Sequence, residues 1–290
     1  MNILTFDIED WFHILNNPYT RNERQWSNFD SRIHLGMELI YNILEKSKIS
    51  ATFFIVGWIA EKYPDIVKKI NNLGCEIGSH THYHQLIYEQ SPKAFYNDVE
   101  KSIKTLEDCI GKKVSSFRAP GFSITERNKW AFEIIHELGI TKDSSIFPAS
   151  RAHGGFQCYK TAHPSIVEYN GIKMKEFPIN TYSYLNNRIV FSGGGYFRIL
   201  PYKVIKRLTH QSSYVMAYFH PRDFDINQPV APGLSSFRRF KSYVGIKKCK
   251  IKLEKWINDF TFTDIEQANK SINWDEVTSC LLYTSPSPRD

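Results

Sequence analysis

Short apolar segments alternate with longer segments of helical periodicity along most of this chain, and this alternation restricts the possible folds more than any other feature. Ile3 to Phe6, Ala51 to Val56 and Val114 to Phe117 are rich in the β-branched and aromatic residues that favour strands. Strand then helix, repeated, implies right-handed β-α-β units and a parallel sheet. With 290 residues, 42% of them hydrophobic, the chain is long enough for one large α/β domain.

Four polar residues lie directly after predicted strands, at the C-terminal end of each: Asp7, His80, Arg118 and His220. The carboxyl ends of parallel strands meet at one edge of a sheet, and in α/β barrels the catalytic residues gather on that rim. We therefore expect these four side chains to converge on one site.

Residues 80–84, His-Thr-His-Tyr-His, follow the strand-like segment 75–78. Imidazole is the commonest nitrogen ligand of zinc-like metals, and His80 and His84, spaced i and i+4, would point to one side of a helical turn. A pair with this spacing also arises by chance. The acidic cluster at residues 7–10, placed directly after the first strand, favours a metal site over chance.

Bulk properties exclude several classes of protein. No run reaches the length of a transmembrane helix, so we expect no integral membrane segment. The N-terminus lacks the basic and apolar regions of a secretory signal, and from this we expect a cytoplasmic location. The five cysteines are scattered without a C-x-x-C pair, which favours free thiols over a disulfide framework or a thiolate zinc site.

Positive charge is concentrated near the C-terminus. The net charge is +7, and residues 238–255 interleave Lys and Arg with apolar residues. Such a segment could bind nucleic acid or an anionic membrane, or it could be a solvated helix face with an apolar underside. We favour the solvated helix. Because no zinc-finger, RNA-recognition or helix-turn-helix signature accompanies the charge, we expect no nucleic-acid partner.

The last residues, 281–290, have no periodicity and resemble an in-frame translation of a sequencing adapter. We therefore expect a single catalytic domain over residues 1–279 and interpret residues 280–290 as non-native.

The ordered motifs resemble those of the polysaccharide deacetylase family, also called the NodB-homology or carbohydrate esterase 4 family, over residues 1 to 265. Residues 84–91, 143–148, 193–198 and 218–221 further resemble a branch found with bacterial exopolysaccharide and exosortase loci. The motifs that carry the family resemblance are Thr5-Phe6-Asp7, His80-Thr81-x-x-His84, Arg118-x-Pro120 and Phe219-His220.

This resemblance implies a distorted (β/α) barrel and metal-dependent removal of N-acetyl groups from sugars. The metal implied is Zn²⁺, with Co²⁺ or Ni²⁺ as alternatives. The matching positions are Asp7 for the general base, His80 and His84 for the metal-binding histidines, Arg118 for the arginine that holds the base, His220 for the general acid, and Asp143 for the carboxylate that orients this acid.

The sequence departs from the family pattern at one ligand. The common pattern has a second aspartate directly after the base, and this chain has Ile8 there. Some relatives carry the metal-binding carboxylate two positions after the base, which favours Glu9, and in an extended strand Glu9 faces the same side as Asp7. Asp10 is the alternative if the backbone turns. The third ligand is therefore either Glu9 or Asp10.

The leading functional hypothesis is a deacetylase of N-acetylglucosamine-type polysaccharide, acting in exopolysaccharide biosynthesis, with an N-acetylated polysaccharide or oligosaccharide as its partner. A second hypothesis keeps the fold and changes the substrate to a small ureide or cyclic amide. A third is a non-catalytic carbohydrate-binding relative. The intact base and histidine pair argue against the third, since a pseudoenzyme is expected to lose one of them. The sequence does not indicate an oligomeric state.

Overall fold

A mostly parallel sheet runs through the protein, as the alternation of segments predicts. The computed structural model describes residues 1–151, 153–184 and 187–282. The strands are β1 (Asn2–Ile8), β2 (Thr52–Ile55), β3 (Glu76–Ser79), β4 (Ser116–Phe117), β5 (Lys142–Asp143), β6 (Ser165–Tyr169), β7 (Ile172–Glu176), β8 (Tyr182–Tyr184), β9 (Asn187–Ile189), β10 (Val215–Phe219) and β11 (Ser279–Leu281).

Helices follow most of the strands and cover the sheet. They are α1 (Glu23–Trp26), α2 (Ile33–Ser47), α3 (Gly57–Lys62), α4 (Pro64–Asn72), α5 (Pro92–Ile110), α6 (Trp130–Glu137), α7 (Gly194–Ile199), α8 (Tyr202–His210), α9 (Ser236–Tyr243), α10 (Ile246–Asp259) and α11 (Ile265–Ser271). Short 3₁₀ turns occur at Ile87–Glu89, Pro120–Phe122 and Pro221–Asp223.

Nine strands form one sheet in the order β10-β1-β2-β3-β4-β5-β7-β6-β11. All neighbours are parallel except β6 and β7, and β8 and β9 form a separate antiparallel pair. In the described part of the chain the outer strands β10 and β11 do not pair with each other. The predicted α/β class is confirmed, and the open, mostly parallel sheet is consistent with a distorted barrel.

Strand β1 is buried on both faces from Ile3 to Ile8, although Thr5 and Asp7 interrupt its apolar residues. It lies between β10 and β2, with Phe6 opposite Phe219 on one side and Asp7 opposite Phe54 on the other. The Phe6 ring stacks on Phe53 of β2 with 5.2 Å between centroids. This central position places the acidic residues that follow β1 between its neighbouring strands.

Local capping agrees with the sequence pattern in α5. The Ser91 hydroxyl accepts a hydrogen bond from the Ala94 amide at 3.2 Å, and Gly111 ends the helix with a φ of 65°. The region 147–200 is rich in loops and contains the short strands β6 to β9. Asn170 and Gly171, with φ values of 46° and 81°, form the tight turn of the β6–β7 hairpin.

The aromatic and β-branched residues at 260–263 favour a strand that does not form. Only Thr263 makes a bridge, to Ile3, and α11 begins at Ile265. The Asp264 side chain accepts a hydrogen bond from the Gln267 amide at 2.7 Å and so caps the helix. This N-cap outweighs the strand preference of the preceding aromatic and β-branched residues.

The C-terminal segment contributes to the sheet as far as it is described. Ser279–Leu281 pairs in parallel with β6, and Cys280 is buried. Residues 283–290 lie outside the described residues, so the interpretation of 280–290 as non-native stays a prediction. None of the described helices is both long enough and apolar enough to cross a bilayer.

Candidate active site

The carboxyl ends of β1, β3, β4 and β10 bring the predicted polar residues together. Asp7 is the penultimate residue of β1, while His80, Arg118 and His220 each directly follow β3, β4 and β10. All of these side chains are largely removed from solvent, and His220 is the most accessible at 15% exposure. The expected convergence on one rim is therefore present.

Three donor atoms on this rim form a pocket that fits a divalent metal. The Glu9 carboxylate lies 3.0 Å from His84 Nε2 and 3.4 Å from His80 Nε2, and one ligand atom from each residue lies within 4.8 Å of the others. Both Nε2 atoms are buried without a hydrogen-bond partner. Buried polar atoms are normally satisfied, so two orphaned imidazole nitrogens beside a carboxylate indicate a ligand set.

Hydrogen bonding and burial put these groups in the forms that bind metal. His80 Nδ1 lies 2.7 Å from the Arg118 carbonyl, which can only accept, so Nδ1 carries the proton and Nε2 keeps its lone pair. Burial lowers the pKa of His84 despite the nearby Glu9 charge. Burial alone would raise the pKa of Glu9, but its interactions with the neighbouring imidazoles of His84, His220 and His80 hold it well below its usual value. A carboxylate and neutral imidazoles are what a metal requires.

The segment 80–84 is an irregular loop and not the helical turn that the i, i+4 spacing suggested. Thr81 and His84 have positive φ values of 60° and 51°, a conformation that costs energy for residues with a side chain and that clusters at functional sites. The Thr81 hydroxyl accepts from the His84 amide at 3.1 Å and fixes the second bend. The loop backbone, therefore, brings the two rings together.

The Asp98 side chain, on α5, holds the backbone of this loop. Asp98 was not identified from the sequence. Its Oδ1 accepts from the amides of His82 and Tyr83 at 3.1 and 2.9 Å. Burial raises the pKa of Asp98 to about 6, although these hydrogen bonds oppose the rise. His82 points away from the metal pocket, with Nε2 3.1 Å from Glu61.

Asp10 does not reach the histidine pair. Its carboxylate accepts from the Ser31 hydroxyl, from the Arg32 amide at 3.2 Å and from the Trp11 amide at 2.8 Å. Burial raises its pKa, and these hydrogen bonds offset part of the rise. Of the two alternatives for the third ligand, the structure thus brings Glu9 to the histidines and uses Asp10 to fix the following loop.

Asp7 and Arg118 form a fully buried ion pair next to the metal pocket. Arg118 Nη1 donates to Asp7 Oδ1 and to the Thr5 hydroxyl, each at 2.7 Å. Its Nε and Nη2 donate to the carbonyl and hydroxyl oxygens of Ser144 at 3.2 and 2.9 Å. The guanidinium is therefore fixed on both sides, and it orients the Asp7 carboxylate.

His220 faces the second Asp7 oxygen. Its Nε2 lies 3.9 Å from Asp7 Oδ2 and 3.7 Å from Glu9 Oε1, while Nδ1 lies 3.1 Å from Asp223 Oδ2. Burial alone would lower the pKa of His220, but the negative charges of Glu9 and Asp223 raise it above its ordinary value. The ring is therefore suited to carry a proton on each nitrogen.

Asp143, which was expected to orient His220, is bonded elsewhere. It lies in β5, four strands from β1, where its carboxylate accepts from the Ser145 hydroxyl and amide at 2.6 and 3.2 Å. Burial raises the pKa of Asp143 and of its neighbour Glu176. Ser145 in turn accepts from the Ala119 amide at 2.8 Å, so Asp143 supports the segment that carries Arg118.

Asp223 occupies the position expected for Asp143. The sequence did contain a signal for this. Pro221, directly after His220, starts a tight turn, and this turn ends at Asp223. Burial would raise the pKa of Asp223, but the positive charges of Arg198 and His220 depress it. Arg198 Nε lies 3.4 Å from Asp223 Oδ1, so the carboxylate stays ionised between two cations.

A cavity of about 110 Å³ adjoins the site beside His84. Its lining combines the apolar Trp26 with the polar side chains of Asn16, Arg21 and Gln85. The ring of His13, which also lines it, lies 5.9 Å from the His84 ring. The metal pocket therefore has space beside it that is large enough for a small substituent and a few waters.

Fold and site together define an α/β protein with a candidate hydrolase centre of the metal-binding type. Residues 19–142 match the family model described as polysaccharide deacetylase, and residues 144–270 match a domain of unknown function, DUF3473. Residues 19–142 therefore belong to a polysaccharide deacetylase domain of the NodB-homology, carbohydrate esterase 4 type.

Named relatives agree with this assignment. A peptidoglycan-N-acetylglucosamine deacetylase of Bacillus cereus is 34% identical over 130 residues, which is 43% of this chain and 46% of the relative. The match thus spans less than half of that curated relative. A structure from Mycobacterium smegmatis, described as a candidate polysaccharide deacetylase, has a TM-score of 0.67 at 15% identity and covers 99% of this chain and 94% of its own.

A carbohydrate esterase 4 pseudoenzyme from Bacillus anthracis has the same fold. Its TM-score is 0.50 at 13% identity, covering 97% of this chain and 66% of that chain. At such identities the likeness concerns the fold alone. The residues of the site must therefore decide between catalysis and binding.

Proposed function

We propose that this chain is a metal-dependent N-deacetylase of N-acetylglucosamine-type polysaccharide. The observation that carries the proposal is the pair of unpartnered Nε2 atoms of His80 and His84 facing the Glu9 carboxylate, beside an oriented Asp7. The name of the Bacillus cereus relative supports N-acetylglucosamine as the sugar. A role in exopolysaccharide biosynthesis rests on the motif resemblance of residues 84–91, 143–148, 193–198 and 218–221.

Glu9, His80 and His84 would hold the metal, and we propose Zn²⁺, with Co²⁺ or Ni²⁺ as substitutes. When bound there, the ion supplies Lewis acidity toward the acetamide carbonyl and a water molecule. One carboxylate and two neutral imidazoles leave open coordination positions, which is the arrangement of catalytic sites and not of structural ones.

The protein's own groups supply the proton transfers. Asp7 Oδ2 accepts the proton of the attacking water, while Arg118 holds Oδ1 in place. His220 then donates its Nε2 proton to the leaving sugar nitrogen as the C–N bond breaks, giving acetate and a free amine. Asp223 keeps Nδ1–H aligned, so that the Nε2 proton points toward the rim.

Two alternative functions can be distinguished from this one by experiment. A same-fold amidohydrolase would use this site on a ureide or cyclic amide, and a carbohydrate-binding relative would bind glycan without turnover. The complete set of base, acid and metal ligands favours catalysis. The raised pKa of His220 in particular suits proton donation to a leaving group, a role that simple glycan binding does not need.

The test is acetate release from N-acetylglucosamine oligomers, measured on the full chain after chelation and again after Zn²⁺ is restored. Loss and recovery of release, together with one metal per chain by mass spectrometry, would support the proposal. Asp7→Asn should abolish release and keep the metal. His34→Gln is the matched control, because His34 is an exposed histidine paired with Asp65 outside the site.

The remaining outcomes separate the alternatives. Bound metal without acetate release, combined with turnover of a ureide, would show that the substrate is a ureide and not an N-acetylated glycan. Glycan binding with neither metal nor release would assign a binding protein. Full release by Asp7→Asn would refute the assignment of Asp7 as the base.

A further inference from the structure

The short helices α7 and α9 expose large apolar side chains. Tyr196 and Ile199 on α7 are 45% and 53% exposed, and Phe237 and Phe240 on α9 are 70% and 58% exposed. Members of each pair are spaced i, i+3 and so share one side of their helix. No residue of α9 is buried. The sequence led us to expect an apolar underside here, and α10 has one, whereas the phenylalanines of α9 face solvent.

The two helices are neighbours, joined at the C-terminal end of α9. Arg198 of α7 donates to the carbonyls of Lys241 and Ser242 at the end of α9, at 3.1 and 2.7 Å. Lys252 of α10 donates to the carbonyl of Phe197 at 3.0 Å and to two further carbonyls at the end of α7. The exposed apolar pairs are therefore held on a fixed support.

The same region carries the charge excess of the whole chain. Residues 236–255 contain eight Lys or Arg and one acid, Glu254, so this segment alone accounts for the net charge of +7. Arg238 and Lys252 are occupied by backbone carbonyls. The cations that are exposed and form no ion pair within the described ranges are Arg239, Lys241, Lys247, Lys248 and Lys255.

We propose that the surface of α7 and α9 binds an anionic lipid bilayer, with Phe237 and Phe240 entering the headgroup region and the surrounding cations meeting lipid phosphates. Interfacial helices combine such apolar and basic residues, and each Lys or Arg near an anionic membrane contributes attraction within about one Debye length. This mode of binding needs no spanning helix.

Charge and chemistry favour a bilayer over other partners. A second copy of this chain would present the same positive surface, and like charges would repel it. Single-stranded nucleic acid would use stacking on aromatic rings, but aliphatic side chains such as Ile199 have no role in stacking. A bilayer accepts aromatic and aliphatic side chains alike.

The proposal is tested by co-sedimentation of the full chain with vesicles of phosphatidylcholine alone and of phosphatidylcholine mixed with phosphatidylglycerol. We expect binding to the anionic vesicles that weakens as salt is raised. The double substitution Phe237→Ser and Phe240→Ser should weaken it by at least about tenfold, because both side chains lose apolar burial. Lys241→Gln with Arg239→Gln should weaken it mainly at low salt.

Leu35→Ser on α2 is the matched control, since Leu35 is also apolar and 53% exposed but lies on another helix. It should bind vesicles like the wild type. Circular dichroism melting of every variant verifies folding. Absence of wild-type binding to anionic vesicles, or equal binding by the double Phe variant, would overturn the proposal. Binding of a single-stranded oligonucleotide in place of vesicles would overturn it as well.

Discussion

One oxygen of Asp223 serves His220 twice: Oδ2 accepts from the His220 backbone amide at 2.9 Å and lies 3.1 Å from its ring Nδ1. The backbone contact fixes the carboxylate relative to the residue that it must orient. The ring contact fixes the tautomer and supports a proton on Nε2. The catalytic acid of the proposed reaction is thus positioned by a residue three places further along the chain.

Removing the Asp223 charge should move the pH profile of deacetylation. A general acid must be protonated, so activity falls as the pH rises through the pKa of His220. Because Glu9 and the Asp223 carboxylate raise this pKa despite burial, Asp223→Asn should shift the alkaline limb to lower pH and reduce kcat/KM by about 10- to 100-fold.

The matched control for Asp223 is Asp225→Asn. Asp225 follows in the same segment but pairs with Arg32 and not with His220. The alkaline limb should stay in place for Asp225→Asn. An unchanged limb for Asp223→Asn, measured as kcat/KM against pH, would contradict the positioning role.

Glu9→Gln should weaken metal binding, whereas Asp10→Asn should lower the stability of the fold. Glu9 faces the two histidines, so Glu9→Gln should weaken Zn²⁺ binding by at least about tenfold in a competition titration with a chelator. Asp10 accepts hydrogen bonds from Ser31 and the Arg32 amide, so Asp10→Asn should keep the metal and cost about 1–2 kcal/mol in urea unfolding. The reverse pattern would make Asp10 the ligand.

Arg118→Leu should strongly destabilise the fold. It leaves the buried Asp7 carboxylate without a partner, and breaking a buried ion pair in this way costs about 3–5 kcal/mol. In the double variant with Asp7→Asn no charge is stranded, so part of the loss should be recovered in urea unfolding. If the double variant is no more stable than Arg118→Leu alone, the ion pair is not the cause.

Asp98 should contribute a loss of stability as the pH rises. Its pKa is raised from 3.8 to about 6 by burial, so the folded state holds the proton more tightly than the unfolded state. Between about pH 4 and pH 6 the folded protein therefore carries more protons, and its free energy of unfolding decreases as the pH rises, by up to about 3 kcal/mol. Above the folded pKa the contribution is constant.

Asp98→Asn should remove this component and keep an oxygen that accepts from the amides of His82 and Tyr83. Urea unfolding of both proteins at pH 4.5 and pH 6.5 gives the comparison. The wild type should lose more stability than the variant over this interval. Equal changes would show that Asp98 does not hold its proton in the folded state.

The strand ends were predictable because a parallel sheet places all of its carboxyl ends on one edge. Asp7, His80, Arg118 and His220 needed only the strand boundaries, which the apolar runs mark. The choice between Glu9 and Asp10 was not predictable, since it depends on how the backbone turns after Ile8. That turn is fixed by Ser31 and Arg32, which are distant in sequence.

Asp143 and Asp223 illustrate a different limit. The family resemblance pointed to Asp143 as the carboxylate that orients His220, although the turn at Pro221 offered Asp223. The position of β5, which keeps Asp143 away from His220, appears only after the strands are ordered. The strand preference of residues 260–263 is overridden for a local reason, since the Asp264 side chain caps the helix that begins at Ile265.

Arg198 has consequences for anyone who recombines this protein with its relatives. One guanidinium serves both the Asp223 carboxylate and the last turn of α9. Exchanging the 236–243 segment alone would shift the carbonyls that align Arg198 and, with them, the carboxylate behind His220. A chimera that replaces α9 should therefore replace α7 as well, because Arg198 of α7 links the position of α9 to the position of the Asp223 carboxylate.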